Sequence, residues 1–277
     1  MALSLNIVER IVDGIAEEFE KRPPTLGVVG VSGVGKSSTI NALFRTTLPT
    51  SPTLRGTSRF TAQKIAIDGR KLMKRDVAAA LKVYDSVGLG EDVDADPGYL
   101  RRYREHLGKC DCVLWVTSAR NRAVALDQSY MRELSEHLPH LVIGLNQADL
   151  VEPMNWTTKY NMPSREQETH LAEIAADRQE RYARALGRSA DALPVISYCA
   201  KRRYNLSELF LACLTNVPSG RRWMFQIVKG FSAKDWIDLA DGLSAEERAA
   251  LEAQFSKREA AEGIDVWGML KSRLRGA

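Results

Sequence analysis

Between Ser4 and Glu20 the apolar residues Ile7, Val8, Ile11, Val12, Ile15 and Phe19 recur at helical spacing, with Glu9, Arg10, Glu17 and Glu18 between them. This predicts one amphipathic helix, stopped by Pro23 and Pro24. A short apolar run, Leu26 to Val29, then enters a glycine-rich turn and a second helical pattern from Lys36 to Arg45. Phe60 to Ile67 reads as extended and closes on Asp68-Gly69; Leu81 to Tyr84 follows, then a helix near Tyr99 to Leu107. Val113 to Val116, Leu141 to Leu145 and Leu193 to Ile196 are further short apolar runs, separated by helical patterns at Asp127 to Leu138 and Ser164 to Leu186. The last of these opens on a capping box, Ser164 with Gln167, and stops before Gly187. Six strand candidates with intervening helices imply an α/β fold: a mostly parallel, doubly wound sheet with helices on both faces and ligands beyond the carboxyl ends of the strands.

Val217 to Gly220 breaks the alternation, and no strand run follows. Ser232 with Asp235, and Ser244 with Glu247, are helix-start signatures, so about three helices are expected here, joined by the N-terminal helix if the two ends pack together. The expected organisation is an N-terminal helix over 1–22, a central domain over 23–217 and a helical appendage over 218–277. Trp223, Met224, Phe225 and Ile227 are expected to pack on the central domain rather than on a membrane surface.

With 277 residues, 44% hydrophobic and 27% charged, the chain has average globular composition, which excludes a disordered or fibrous protein. The net charge of +4 permits an anionic partner without requiring nucleic acid. Lys201 to Arg203, Arg221-Arg222 and Lys271 to Arg275 read as solvated basic faces. No apolar run approaches the roughly 20 residues of a membrane span, and the first residues show no export or transit signal, so a cytoplasmic setting is expected. The four cysteines match no zinc or disulfide spacing, and Cys112 and Cys213 read as packing residues.

The chemistry concentrates at Gly30-Val31-Ser32-Gly33-Val34-Gly35-Lys36-Ser37, a glycine, four residues, glycine, lysine and serine set between a predicted strand and a predicted helix. Its glycines leave backbone amides uncovered for phosphate oxygens, and the following helix points its N-terminal dipole at the same spot. Gly30, Ser32, Gly33, Val34, Gly35, Lys36, Ser37 and Ser38 are therefore the candidate phosphate-binding residues. Lys36 would reach the terminal phosphates, and the Ser37 hydroxyl would complete the coordination of a magnesium ion.

From this loop onward the chain resembles the translation-factor-related GTPases, and within them the Era-like branch, over roughly Thr25 to Val217. Asp85-Ser86-Val87-Gly88 resembles the family's aspartate-two-residues-glycine element, which implies Asp85 as a magnesium ligand through water and Gly88 as the sensor of the terminal phosphate. Asn146-Gln147-Ala148-Asp149 is similar to the guanine-reading motif, with Asp149 accepting from two donors that adenine lacks. Gln147 stands where lysine is usual. Cys199-Ala200-Lys201 resembles the last motif, usually serine-alanine, whose backbone amide meets the guanine oxygen. Thr57 or Ser58, within the loop Thr47 to Arg59, is implied as the magnesium-binding switch residue, the two not being separated. Leu89 stands where Ras-like relatives carry glutamine and cannot polarise water; Glu91, Arg55 and Arg59 are weaker candidates for that work, and Gly33 replaces the asparagine that holds potassium in some relatives.

The resemblance implies a Ras-like P-loop NTPase fold and a magnesium-dependent switch that hydrolyses GTP slowly to GDP. A nucleotide-dependent homodimer with negligible hydrolysis is the alternative, and ATP hydrolysis rests on the phosphate loop alone. The glycine-two-residues-glycine loop of an RNA-binding KH module does not occur after Gly220, so RNA or ribosome binding has only the basic runs behind it; no DNA partner is expected. In outline the chain looks most similar to small bacterial GTPases of the YfjP kind, with a looser likeness to immunity-related GTPases.

Overall fold

In the computed structural model, which describes residues 5–48, 61–67, 71–72, 75–76, 79–85, 89, 96–229, 231 and 237–262, strands and helices alternate much as the pattern requires. The order is α1 (Leu5–Lys21), β1 (Thr25–Val29), α2 (Lys36–Phe44), β2 (Thr61–Ile67), β3 (Lys71–Leu72), β4 (Arg75–Asp76), β5 (Ala79–Asp85), α3 (Asp96–Leu107), β6 (Cys112–Ser118), α4 (Ala125–Leu134), β7 (Leu141–Asn146), α5 (Arg165–Leu186), β8 (Val195–Ser197), α6 (Leu206–Asn216), α7 (Arg222–Val228) and α8 (Ala245–Glu262). Among the described residues no helix is long and apolar enough to cross a membrane.

Six strands form one sheet in the order β2-β5-β1-β6-β7-β8, and β3 pairs with β4 apart from it. Only β2 runs antiparallel to its neighbour β5; β5, β1, β6, β7 and β8 are parallel. The chain fills the β5 side of β1 first and then crosses to β6 on the other side. The strand order therefore reverses around β1, and the crevice at its carboxyl end is where a ligand fits such a sheet.

Alternation along β6 builds both layers of the core. Cys112, Leu114 and Val116 join Ile40 and Leu43 of α2, Leu209 and Leu214 of α6, and Ile15 and Phe19 of α1. Val113 and Trp115 face the opposite layer, with Tyr103 and Leu107 of α3, Met131 and Leu134 of α4, and Tyr182 of α5. Burial on both faces is why β6 and β7 read as unbroken apolar runs rather than alternating ones.

The helices that flank the sheet domain, α1 and α7, meet on the first layer. Trp223, Met224 and Phe225 are buried in the α1/α2/α6 layer, and Trp223 packs edge-on against Phe19 with ring centroids 5.8 Å apart. Below them Asp111, just before β6, accepts from Arg221 Nε at 2.5 Å, Arg221 Nη2 at 2.9 Å and the Thr25 amide at 2.9 Å. Arg221 Nη2 also donates to the carbonyls of Arg22 and Pro23. Arg221 is thus a buried joint between the α1–β1 link, β6 and α7, not the solvated face expected from its basic neighbour.

Local departures have local causes. The helix expected to reach Leu138 ends at Leu134 and tightens into a 3-10 turn over Ser135–His137. The last strand starts at Val195 rather than Leu193, because Pro194 has no amide for a ladder and contributes only its carbonyl, to Ile143 N at 2.9 Å. Ser164 caps α5 through Gln167 N, but the Gln167 side chain turns inward to the carbonyls of Ala148 and Val151 instead of closing the box. Ser244 and Glu247 do form the reciprocal box, at 3.2 and 2.8 Å, at the start of α8. Ser232 and Asp235 lie outside the described residues.

Candidate functional site

β1 delivers the chain to Gly30 at the switch point, and the next residues turn back to start α2 at Lys36. Two glycines make the turn sterically feasible. Gly30 (φ 146°) lies so close to β6 that a Cβ would come within 2.1 Å of the Val116 carbonyl oxygen, and Gly35 (φ 90°) would place one 2.4 Å from Asn146 Nδ2. The Lys36 ammonium donates to the carbonyls of Gly30 and Val31, both at 3.0 Å, so it arches back over the loop. Thr39 fixes the first turn of α2, its hydroxyl donating to Gly35 O at 2.9 Å and sharing a 2.7 Å hydrogen bond with the buried Tyr198 hydroxyl. Ser32, Gly33, Ser37 and Ser38 stay at least partly open to solvent, whereas Val34 is buried.

Leu89 pairs with this loop through its backbone: Ser32 N donates to Leu89 O at 3.3 Å and Leu89 N to Gly30 O at 3.4 Å. Its side chain is buried in the α3/α4/α5 layer with Leu100, Tyr103 and Trp115. Asp85 is the last residue of β5, in parallel register with Val28 two positions before Gly30. Thr57, Ser58, Gly88, Glu91, Arg55 and Arg59 lie outside the described residues, as do the side-chain contacts of Asp85. Ser37 and Asp85 are oxygen donors of the hard type that magnesium takes, carried by elements that flank one loop.

The residues expected to read the base lie at the carboxyl ends of β7 and β8. Asn146, 3% exposed, donates from Nδ2 to Val34 O at 2.9 Å and accepts the Ala200 amide at 3.0 Å on Oδ1. It ties the phosphate loop to the turn after β8. Gln147, in a left-handed conformation, accepts from the Ser118 hydroxyl at 2.6 Å and donates to Gly33 O at 3.3 Å. Its amide thus also reaches the phosphate loop. The Cys199 thiol donates to Asp149 Oδ1 at 3.0 Å. Burial first, and then the Asp149 hydrogen bond and charge, push that thiol up to about 12, so it stays protonated as a neutral donor to Asp149. Lys201, on the same turn, is exposed.

One member of the site was read from the sequence as part of a solvated basic run. Arg202 Nε donates to Asp149 Oδ2 at 3.2 Å, and its guanidinium lies 5.2 Å from the centroid of the Trp156 ring. Asn161, fully buried, holds the Arg202 carbonyl through Nδ2 at 2.9 Å and accepts from Trp156 Nε1 at 3.2 Å. Local signals could not mark Arg202, because its acid lies 53 positions away in the sequence.

This arrangement has the α/β fold of GTPases: strand, glycine-cradled loop and helix, with a carboxylate-bearing turn tied to the loop. Residues 25–147 match the family described as 50S ribosome-binding GTPase. It is similar to the uncharacterized protein YfjP of Escherichia coli K12, 30% identical over 172 residues, which are 61% of this chain and 56% of that protein. YkfA of the same organism is 30% identical over 150 residues, 53% of this chain and 49% of that protein. The matched stretch is thus about half the length of these curated relatives. Among solved structures, the fold is similar to the LeoA bacterial dynamin GTPase from ETEC, with a TM-score of 0.54 and 12% identity over 86% of this chain and 42% of that one.

Proposed function

We propose that the protein binds GTP and GDP with magnesium and hydrolyses GTP slowly, as a molecular switch of the Era-like branch. The observation that carries this is Asn146, which joins the phosphate loop at Val34 to the base-end turn at Ala200 and so makes one site of two motifs. In this reading the amides of Gly33 to Ser38 hold the phosphates, and Lys36 leaves the Gly30 and Val31 carbonyls for the terminal oxygens. Asp149 accepts both guanine donors, and because Asn146 takes the Ala200 amide, the neighbouring Lys201 amide meets the guanine oxygen. Magnesium, held by Ser37, Asp85 and one of Thr57 and Ser58, would neutralise charge on the terminal phosphates. The loop Thr47 to Arg59 and the acidic stretch Glu91, Asp92, Asp94 and Asp96 respond to that phosphate and signal to the helices after Val217 or to a partner.

Titration of wild type and Lys36→Ala with GTP, GDP and ATP, with and without magnesium, tests the site, and phosphate release tests the turnover. Expected are guanine-nucleotide binding that Lys36→Ala weakens strongly, little response to ATP, and release far slower than a turnover per second. Equal behaviour of the two proteins overturns the proposal. Burial of Leu89 favours a second reading, since the residue after Gly88 contributes no polar group to water. In that reading nucleotide binding drives dimerisation with negligible hydrolysis. Light scattering with a non-hydrolysable GTP analogue separates the two, because a monomer in every nucleotide state removes the second.

A further inference from the structure

Both oxygens of the base-reading carboxylate are engaged by protein donors. Asp149 Oδ1 accepts from the Cys199 thiol and Oδ2 from Arg202 Nε. The two donors differ in kind. The thiol is buried, neutral and a weak donor, whereas Arg202 brings a full positive charge and a rigid fork of N–H groups to an acid whose side chain is only 10% exposed. Arg202 itself is 35% exposed, with solvent on one side and the Trp156 ring on the other. Its backbone is fixed by Asn161, and its head is held only by Asp149 and the Trp156 ring among the contacts described. We infer that Arg202 is an affinity-determining residue of the site, an intramolecular competitor that guanine must displace from Asp149. This rests on the proposal that Asp149 reads guanine.

The physical case is one of donor against donor. Guanine offers two N–H groups side by side, and they need one lone pair on each of the two carboxylate oxygens. The guanidinium that donates to Oδ2 sets its charge against the carboxylate that would otherwise attract the donors of the base. A base that replaces both interactions recovers what is lost when Arg202 leaves. Adenine, with no such donor pair, leaves the arginine where it is. Arg202 therefore lowers the affinity for guanine without helping adenine, and its departure from Trp156 is a local signal that the base has arrived. The turn that carries Trp156 and Asn161 continues into Thr158 and Lys159, whose carbonyls accept the amides of Asp241 and Gly242 just before α8. The signal has a covalent and hydrogen-bonded route to the C-terminal helix.

The test uses the full chain with GDP and ADP as probes, read by calorimetry and by tryptophan fluorescence, in wild type, Arg202→Ala, Arg202→Lys and Trp156→Phe. Removing a half-exposed ion pair of this kind should tighten GDP about fivefold in Arg202→Ala, with ADP unchanged and Arg202→Lys in between. Fluorescence should change when GDP binds wild type and lose that change in both Arg202→Ala and Trp156→Phe, a readout that a purely structural role would not move. Equal or weaker GDP binding by Arg202→Ala, with an unchanged melting temperature, overturns the inference and makes Arg202 a support for Asp149 instead. If neither wild type nor Arg202→Ala binds GDP, the guanine reading of Asp149 falls and this inference falls with it. Binding by Arg202→Ala alone supports the competition.

Discussion

Asn146 Nδ2 donates to the Val34 carbonyl across 112 positions of sequence, at 2.9 Å and out of contact with water. With Ala200 N on its other end, this amide bridges the glycine-rich loop after β1 and the turn after β8. Asn146→Ala should leave two buried backbone groups unsatisfied, at about 1–3 kcal/mol each. The melting temperature should fall, and GDP affinity should fall at least tenfold, since loop and turn would no longer be held in register. Asn146→Asp sets an acceptor against the Val34 carbonyl and should be no better. Calorimetry against GDP and a thermal melt check both; affinity retained with the fold intact would show that the bridge is dispensable.

Glycines of the same loop should separate by what their Cβ would meet. At Gly30 the obstacle is the Val116 carbonyl, a backbone atom in the middle strand of the sheet, 2.1 Å away. Gly30→Ala must move β1 from β6 and should cost several kcal/mol or abolish folding. At Gly33 nothing lies within 4 Å, so Gly33→Ala meets only the strain of its φ of 76°, about 1 kcal/mol. Urea unfolding of the two variants should rank Gly30→Ala far below Gly33→Ala. Equal stabilities would contradict the close approach.

The α1–β1 link and the start of α7 hang on Asp111 and Arg221, whose side chains are 3% and 10% exposed. Removing one partner strands the other charge, so Arg221→Ala should destabilise by about 3–5 kcal/mol. Arg221→Lys should rescue little, because one ammonium cannot reach two carboxylate oxygens and the Arg22 and Pro23 carbonyls together. Chemical unfolding gives the energies. An additional loss on combining Arg221→Ala with Asp111→Ala, rather than partial recovery, would speak against a stranded charge.

That joint also shows where sequence runs out. Period and caps mark an element from within, which is why α5 and α8 start at Ser164 and Ser244 as expected and why the unbroken apolar runs became β6 and β7. The phosphate loop is equally local, since its glycines, lysine and serine are contiguous. Arg202 and Arg221 are different. Each sits in a basic run that reads as solvated, and each is claimed by an acid 53 or 110 positions away. A pairing at that separation is created by the sheet order, not by any neighbour in sequence. Leu89 was legible as a missing glutamine, but its burial beside Tyr103 and Trp115 required the bridge between Val31 and Leu89.

Alkaline pH should probe the same interior. Burial first, then the negative charges of Asp111 and Asp149, push the Cys110 and Cys199 thiols from an ordinary 9.0 up to about 12. For a thiol whose folded value is raised, the native state holds its proton longer than the unfolded chain does. The associated stability is complete below pH 9 and disappears between about pH 9 and pH 12, at roughly 1.4 kcal/mol per pH unit for each thiol. Urea unfolding should therefore show a free energy that falls as the pH rises above 9. In Cys199→Ser the hydroxyl keeps a donor for Asp149 but does not titrate in this window, so the fall should be shallower while guanine binding at neutral pH is retained. An unchanged alkaline slope in Cys199→Ser would mean that this thiol is already ionised or accessible in the folded protein, and a thiol-labelling rate as fast as that of the unfolded chain would say the same.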